Sequence, residues 1–203
     1  MGAKAKIAGG CDEPTGEERP QRADAVRNRG RILEAAEVVF ASEGIEAPVD
    51  LIAEKAGVGV GTLYRHFPTK ERLCEAILLE RLRELTEDAR AQADAEDPTA
   101  AFFGFLDHFV VLGEAKRDLI NAVMGAGLEF EVSAAPVKAD LREAVGVLLR
   151  RAQDAAAVRG DVTPDVVLSL VSATCQAAGH SDGTPACDLL SIVCDGLRPQ
   201  TAG

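Results

Sequence analysis

Within the nine residues from Thr62 to Lys70, the side chains of Thr62, Tyr64, Arg65, His66 and Lys70 present hydroxyl, guanidinium, imidazole and ammonium groups. Hydroxyl, imidazole and ammonium donors so close together are suited to phosphate oxygens, whose contacts position a protein on a nucleic acid without reading its sequence. Arg65 adds a planar fork that can bond O6 and N7 of a guanine together, which makes it the candidate for direct base reading. Just upstream, Val60 and Gly61 are small enough to allow close approach to base edges. Alone, His66 would be a helix-surface histidine without a task; in this company it is read as a donor. A second basic group precedes the first: Arg19, Arg22, Arg27, Arg29 and Arg31 face only Asp24, an excess that points to a polyanion at this end of the chain.

The formal net charge of −11 runs against that reading, because neutralising phosphates is the main source of affinity for nucleic acid. Position along the chain resolves the conflict. Residues 19–72 hold nine Lys/Arg against eight Asp/Glu, whereas residues 81–203 hold eleven against nineteen, so the acid lies mainly in the C-terminal part.

The elements that must hold these donors follow from periodicity and punctuation. Ile32, Leu33, Ala36, Val39 and Phe40 recur at three- and four-residue steps, predicting a helix over about 23–42 that Gly44 ends. A short helix over 49–56 follows, then Gly57-Val58-Gly59, then a helix from Val60 to Phe67 that Pro68 stops. Two short helices joined by a glycine-bearing three-residue turn form a helix-turn-helix. In it, the second helix enters the major groove by the end that carries Val60, Gly61 and Thr62, while Leu63 and Phe67, four apart, anchor it to its own core. Thr69 can cap a next helix, and nothing interrupts residues 70–97. Further helices are expected over 98–112, 115–124, 136–157, 164–178 and 185–197. Asp97-Pro98, Thr163-Pro164 and Thr184-Pro185 each put a capping side chain before a proline at the first helical position, and Gly160 and Gly179 serve as stops. The class is all-α, with about nine helices.

The segment from Gly57 to Glu71 resembles the recognition segment of the TetR family of bacterial regulators, and the likeness extends from Arg29 to Ile77. Ala115-Lys116-Arg117 after an aromatic helix, with the closing Asp195-Gly196-Leu197-Arg198, resembles the SbtR-like branch more weakly. The first residues lack apolar periodicity and are rich in Gly, Pro and charge, so a mobile tail is expected over 1–22; the resemblance implies a DNA-binding domain over 23–69 and a helical ligand-binding and dimerisation domain over 70–203. It also implies that Tyr64, His66 and Lys70 clamp the DNA backbone, that Val60, Gly61 and Arg65 lie nearest the bases, and that a homodimer binds a palindromic operator as a repressor. Two departures stand out: Pro48 where many relatives carry Ser or Thr, and Val60 where they carry a polar residue.

Residues 102–112 are apolar almost all round a helix and carry four of the seven phenylalanines, so this helix is buried on more than one side. A plain aromatic core and an apolar pocket both fit that pattern. The resemblance favours a pocket for a small-molecule effector, with Phe102, Phe105, Leu106, Phe109, Met124 and Leu128 as walls, and Asp107, His108 and Asn121 as candidate polar contacts. An effector wedged there would tilt the helix that begins at Lys70 and carry the reading helix out of register with the DNA. Val167, Leu170 and Val171, with Leu189, Leu190, Val193 and Leu197, make broad apolar faces on two short final helices, the expected seam of a two-fold dimer.

Other classes are weaker. Cys175, His180 and Cys187 match no catalytic or metal-binding spacing, so neither an enzyme nor a metal or other cofactor is expected. Cys187 and Cys194, one heptad apart, leave a thiol-based redox sensor as a variant of the regulator reading. No run of 18 apolar residues occurs and the first 20 residues lack an apolar core, so a cytoplasmic protein without a membrane partner is expected.

Overall fold

Ile32, Ala35, Ala36, Val39 and Phe40 are all buried along one face of the first helix, so the three- and four-residue steps of the sequence become its packing surface. The computed structural model describes residues 18–125, 130–180 and 185–199, and within these the chain is all-α, with nine helices. Leu128, Cys11 and most of the N-terminal segment read as a mobile tail lie outside the described residues, as does the Met124 side chain.

Helix α1 (Glu18–Glu43) begins upstream of the expected Ala23 and ends at Gly44, whose φ of +81° is the left-handed conformation glycine takes readily. Helices α2 (Val49–Ala56) and α3 (Val60–His66) follow at the expected places. Helix α4 (Lys70–Ala91) starts under the Thr69 cap, whose Oγ1 accepts from Arg72 N at 3.3 Å. It stops short of residue 97 although no Gly or Pro breaks it. Arg151 explains the stop: its guanidinium donates to the carbonyls of Ala93 and Ala95, satisfying backbone groups that a longer helix would have satisfied itself.

Helix α5 (Pro98–Ala115) is capped as expected, with Asp97 Oδ1 accepting from Thr99 N at 2.9 Å and from Ala100 N at 3.0 Å. After α6 (Arg117–Gly125), helix α7 (Phe130–Asp154) starts six residues before the predicted position and runs through Pro136. Phe130, Ala134, Val137 and Leu141 form one buried stripe across the proline, and their burial outweighs the single backbone bond that Pro136, itself exposed, cannot make. Helix α8 (Pro164–His180) passes Gly179, which does not stop it. Helix α9 (Ala186–Leu197) has Pro185 as its N-cap rather than as its first residue, with no side-chain cap.

Two apolar cores result. One joins α1, α2 and α3 to the first half of α4, and extends to Leu119 and Val123 of α6 and Phe130 and Ala134 of α7. The other gathers Leu85 and Ala89 of α4 with α5, the rest of α7, α8 and α9. Leu82 packs against both. The helix that leaves the first unit is therefore a structural member of each, and no flexible link separates them.

Candidate nucleic-acid interface and ligand cavity

The turn before α3 depends on the backbone freedom of one glycine. Gly57 closes α2 at φ +64°, the left-handed conformation glycine takes readily, and the Arg31 guanidinium donates to its carbonyl at 3.3 Å. The Gly59 carbonyl then accepts from Thr62 N at 2.8 Å and Leu63 N at 3.1 Å, starting α3 without a side-chain cap. Pro48 likewise gives α2 no side-chain cap. Leu63 and Phe67, each 1% exposed, hold α3 on the first core, so its opposite face is left outward. On that face Tyr64 is 45% exposed and Arg65 and Gly61 are exposed, with nothing within 4 Å of a Cβ on Gly61. Thr62, His66 and Lys70 are half-buried, and Val60 leans on the core. Two cations brace the unit by stacking: Arg29 lies 4.7 Å over the Phe67 ring and Lys70 5.9 Å from the Phe40 ring centre. The chain thus presents a compact helix with donors and open space on one side, a shape that fits a groove.

The second feature is a cavity of about 320 Å³ between α4, α5, α6, α7 and α8. Leu78, Leu82 and Leu85 of α4, Phe109 and Leu112 of α5, and Ile120 of α6 supply its apolar wall. Of the expected wall, Phe109 lines this space. Phe102, Phe105 and Leu106 do not: each is at most 1% exposed, inside the second core, because their face of α5 turns toward α7, α8 and α9. For those three the plain aromatic core is the outcome, and Phe105 supports Phe109 edge-on at 6.3 Å between ring centres. Asn121 reaches the cavity, whereas Asp107 and His108 are exposed, with His108 Nδ1 3.0 Å from Asp88 Oδ2.

Four cations line the cavity and none was foreseen there: Arg81, Lys116, Arg117 and Lys138. Arg81 pairs with Glu37 of α1 and with Glu84, yet its Nε is buried without an acceptor among the described residues. The Nε of Arg117 is in the same condition. Among the described residues Arg117 faces Glu114, 3.8 Å away, which already accepts from Ala186 N at 3.0 Å. Burial pushes the Lys116 ammonium below the ordinary lysine value, and neighbouring Arg81 pushes the same way against Glu84. Behind this wall, α5 meets α8 closely: a Cβ on Gly113 would stand 2.6 Å from Cys175 Sγ.

The expected dimer seam divides in two. Val167, Val171, Leu190 and Leu197 are at most 3% exposed within the chain's own second core, which corrects their reading as seam residues. One side of each apolar face is used internally. Leu170 remains 38% exposed, Leu189 and Val193 are half-buried, and Val166 and Ile192 are exposed beside them. The cysteine pair of α9 is no intrachain disulfide. Seven residues along a helix separate Cys187 and Cys194 by about 10.5 Å, beyond bridging distance.

Comparison with known proteins agrees with this geometry. Residues 32–77 match the family model for bacterial regulatory proteins of the tetR family, and residues 97–199 match that for the SbtR-like transcriptional regulator C-terminal domain. The regulator UidR of Escherichia coli is 29% identical over 157 residues, 73% of this chain and 76% of its own. An HTH-type regulator of Staphylococcus aureus is 50% identical over 54 residues, 26% of this chain, and the chain spans only 29% of that relative's length. The crystal structure of a TetR transcription regulatory protein from Mycobacterium vanbaalenii is 40% identical, with a TM-score of 0.66, covering 89% of this chain and all of that one. With an outward reading helix, a helical C-terminal domain and matches over both parts, the chain belongs to the TetR family of DNA-binding transcriptional regulators.

Proposed function

We propose that this regulator is a homodimeric repressor, acting in the cytoplasm, that binds a palindromic operator and leaves it when a small, largely apolar effector enters the cavity. The observation that carries this reading is the double membership of α4. Its first turn follows directly on the reading helix, and Leu78, Leu82 and Leu85 further along form the cavity wall. A guest that shifts this wall shifts the reading helix with it. By resemblance, Tyr64, His66 and Lys70 contact phosphates, and Val60, Gly61 and Arg65 lie nearest the bases, while the Thr62 hydroxyl is a further donor suited to a phosphate. Arg29 braces α3 and leaves an exposed cation near the backbone. Coupling of this kind is reciprocal, so DNA and effector lower each other's affinity by the same factor.

Selection from random duplexes tests the reading. The bound fragments should be inverted repeats whose half-sites are about 34–36 Å apart. Unrepeated single sites would overturn the dimer. A compound that releases such a fragment should lose about tenfold in potency against Phe109→Trp, whose larger ring occupies the cavity, while operator binding is kept. Equal potency on both proteins would place the effector elsewhere.

A further inference from the structure

The cavity wall is mostly apolar, but four cations stand among its lining residues. Leu78, Leu82, Leu85, Phe109, Leu112 and Ile120 can cover a hydrocarbon or ring system, while among the described residues four cations and no carboxylate line the space. Such charges are costly at an apolar, partly dry site unless something neutralises them. Among the described residues, Glu37 and Glu84 serve Arg81, and Glu114 lies 3.8 Å from Arg117 while accepting from Ala186 N. The buried Nε atoms of Arg81 and Arg117 still have no acceptor among the described residues, and Lys116 lines the same wall, next to Arg117 in sequence and close enough to Arg81 for the two charges to repel. Lys138, whose ammonium lies 5.6 Å from the Phe130 ring centre, also lines the space.

Resting on the effector reading above, we infer that the cavity takes an amphipathic anion, an apolar body with a carboxylate or phosphate head, and that the head docks on Lys116, Arg117 and Arg81. Arg81 gives this docking a direction. Its guanidinium is held by Glu37, which belongs to α1 and the DNA-reading unit, so an anionic head draws on the cation that ties α1 to α4. The head and Glu37 compete for one guanidinium. A neutral guest of the same shape fills the cavity without entering that competition.

Calorimetry on the full chain without DNA tests this, with decanoate, decyl phosphate, decanol and decyltrimethylammonium as probes below their micelle concentrations. The anions should bind about tenfold or more tighter than decanol, the difference a charge-assisted hydrogen bond supplies, and the cation should bind weakest. Which anion binds tighter distinguishes a carboxylate from a phosphate head. Lys116→Met should remove most of the preference, read as the ratio of decanoate to decanol affinity, and Lys116→Arg should restore it. Glu37→Gln, which removes the competitor without altering the wall, should tighten decanoate severalfold and leave decanol unchanged. Glu34→Gln, a control on the same helix, should do neither. Decanol binding as tightly as decanoate, no binding by either anion, or equal effects of Glu37→Gln and Glu34→Gln would overturn the inference. Since no DNA is present, those failures leave the operator reading standing, whereas unrepeated sites in the selection would strike that reading and leave these affinities untouched.

Discussion

Four cysteines of the described chain occupy different surroundings, and their reactivity should follow. Burial pushes the Cys74 thiol up to about 11. Burial also raises Cys175 and Cys194, with Glu114 and Asp107 respectively adding to it, while Cys187 is exposed. Because the thiolate is the reactive form, brief alkylation at pH 8 should modify Cys187 first, Cys175 and Cys194 slowly, and Cys74 only when the chain unfolds. Peptide mass mapping reads the order, and early labelling of Cys74 would contradict its burial. The residues of α3 were legible in the sequence because their donors crowd one short helix between glycines and a proline. Arg81 and Lys116 were not. A cation on an amphipathic helix has the same spacing whether it faces water or a cavity, and only the packing of α4 against α6 and α7 decides which.

Helix starts marked by Asp97-Pro98 and Thr163-Pro164 were readable, since the cap and the proline act within one turn. The ends of α4 and α7 were not. The first is set by Arg151, 58 residues away from the carbonyl it holds at Ala93. The second is a left-handed stop made by alanine rather than glycine: Ala156 has φ +54°, with Ala156 N bonding Gln153 O at 2.9 Å and Ala157 N bonding Ala152 O at 2.9 Å. An L-side chain in that conformation costs about 1–2 kcal/mol, partly offset in glycine by its greater unfolded freedom. Ala156→Gly should therefore stabilise the protein by about 1 kcal/mol, a rise in Tm of about 2–4 °C in thermal unfolding. A fall in Tm would show that the turn is unstrained.

For the whole molecule, the fold class and the order of the helices could be read from pattern, but the two uses of α8 and α9 could not. Apolar faces on both sides of a helix look alike in sequence until one side is filled by the chain's own core. On this division, Leu170→Glu and Ile192→Glu should weaken the proposed dimer about tenfold or more, since each puts an unpaired carboxylate at the outer face. Val111→Glu, an exposed site on α5, should leave association unchanged, and Leu190→Glu should unfold the chain instead. Sedimentation equilibrium with circular dichroism separates these results; an unaltered dimer in both Leu170→Glu and Ile192→Glu would move the interface elsewhere. The close crossing of α5 and α8 has its own effect at this scale. Gly113 against Cys175 leaves no slack on that side of the cavity. Protein interiors are too dense to absorb a guest by compression, so the volume a guest adds cannot be shared evenly among the walls. For the proposed effector, the α5–α8 side would serve as an anvil, and the stroke of a one-sided bellows would fall on α4 and α6.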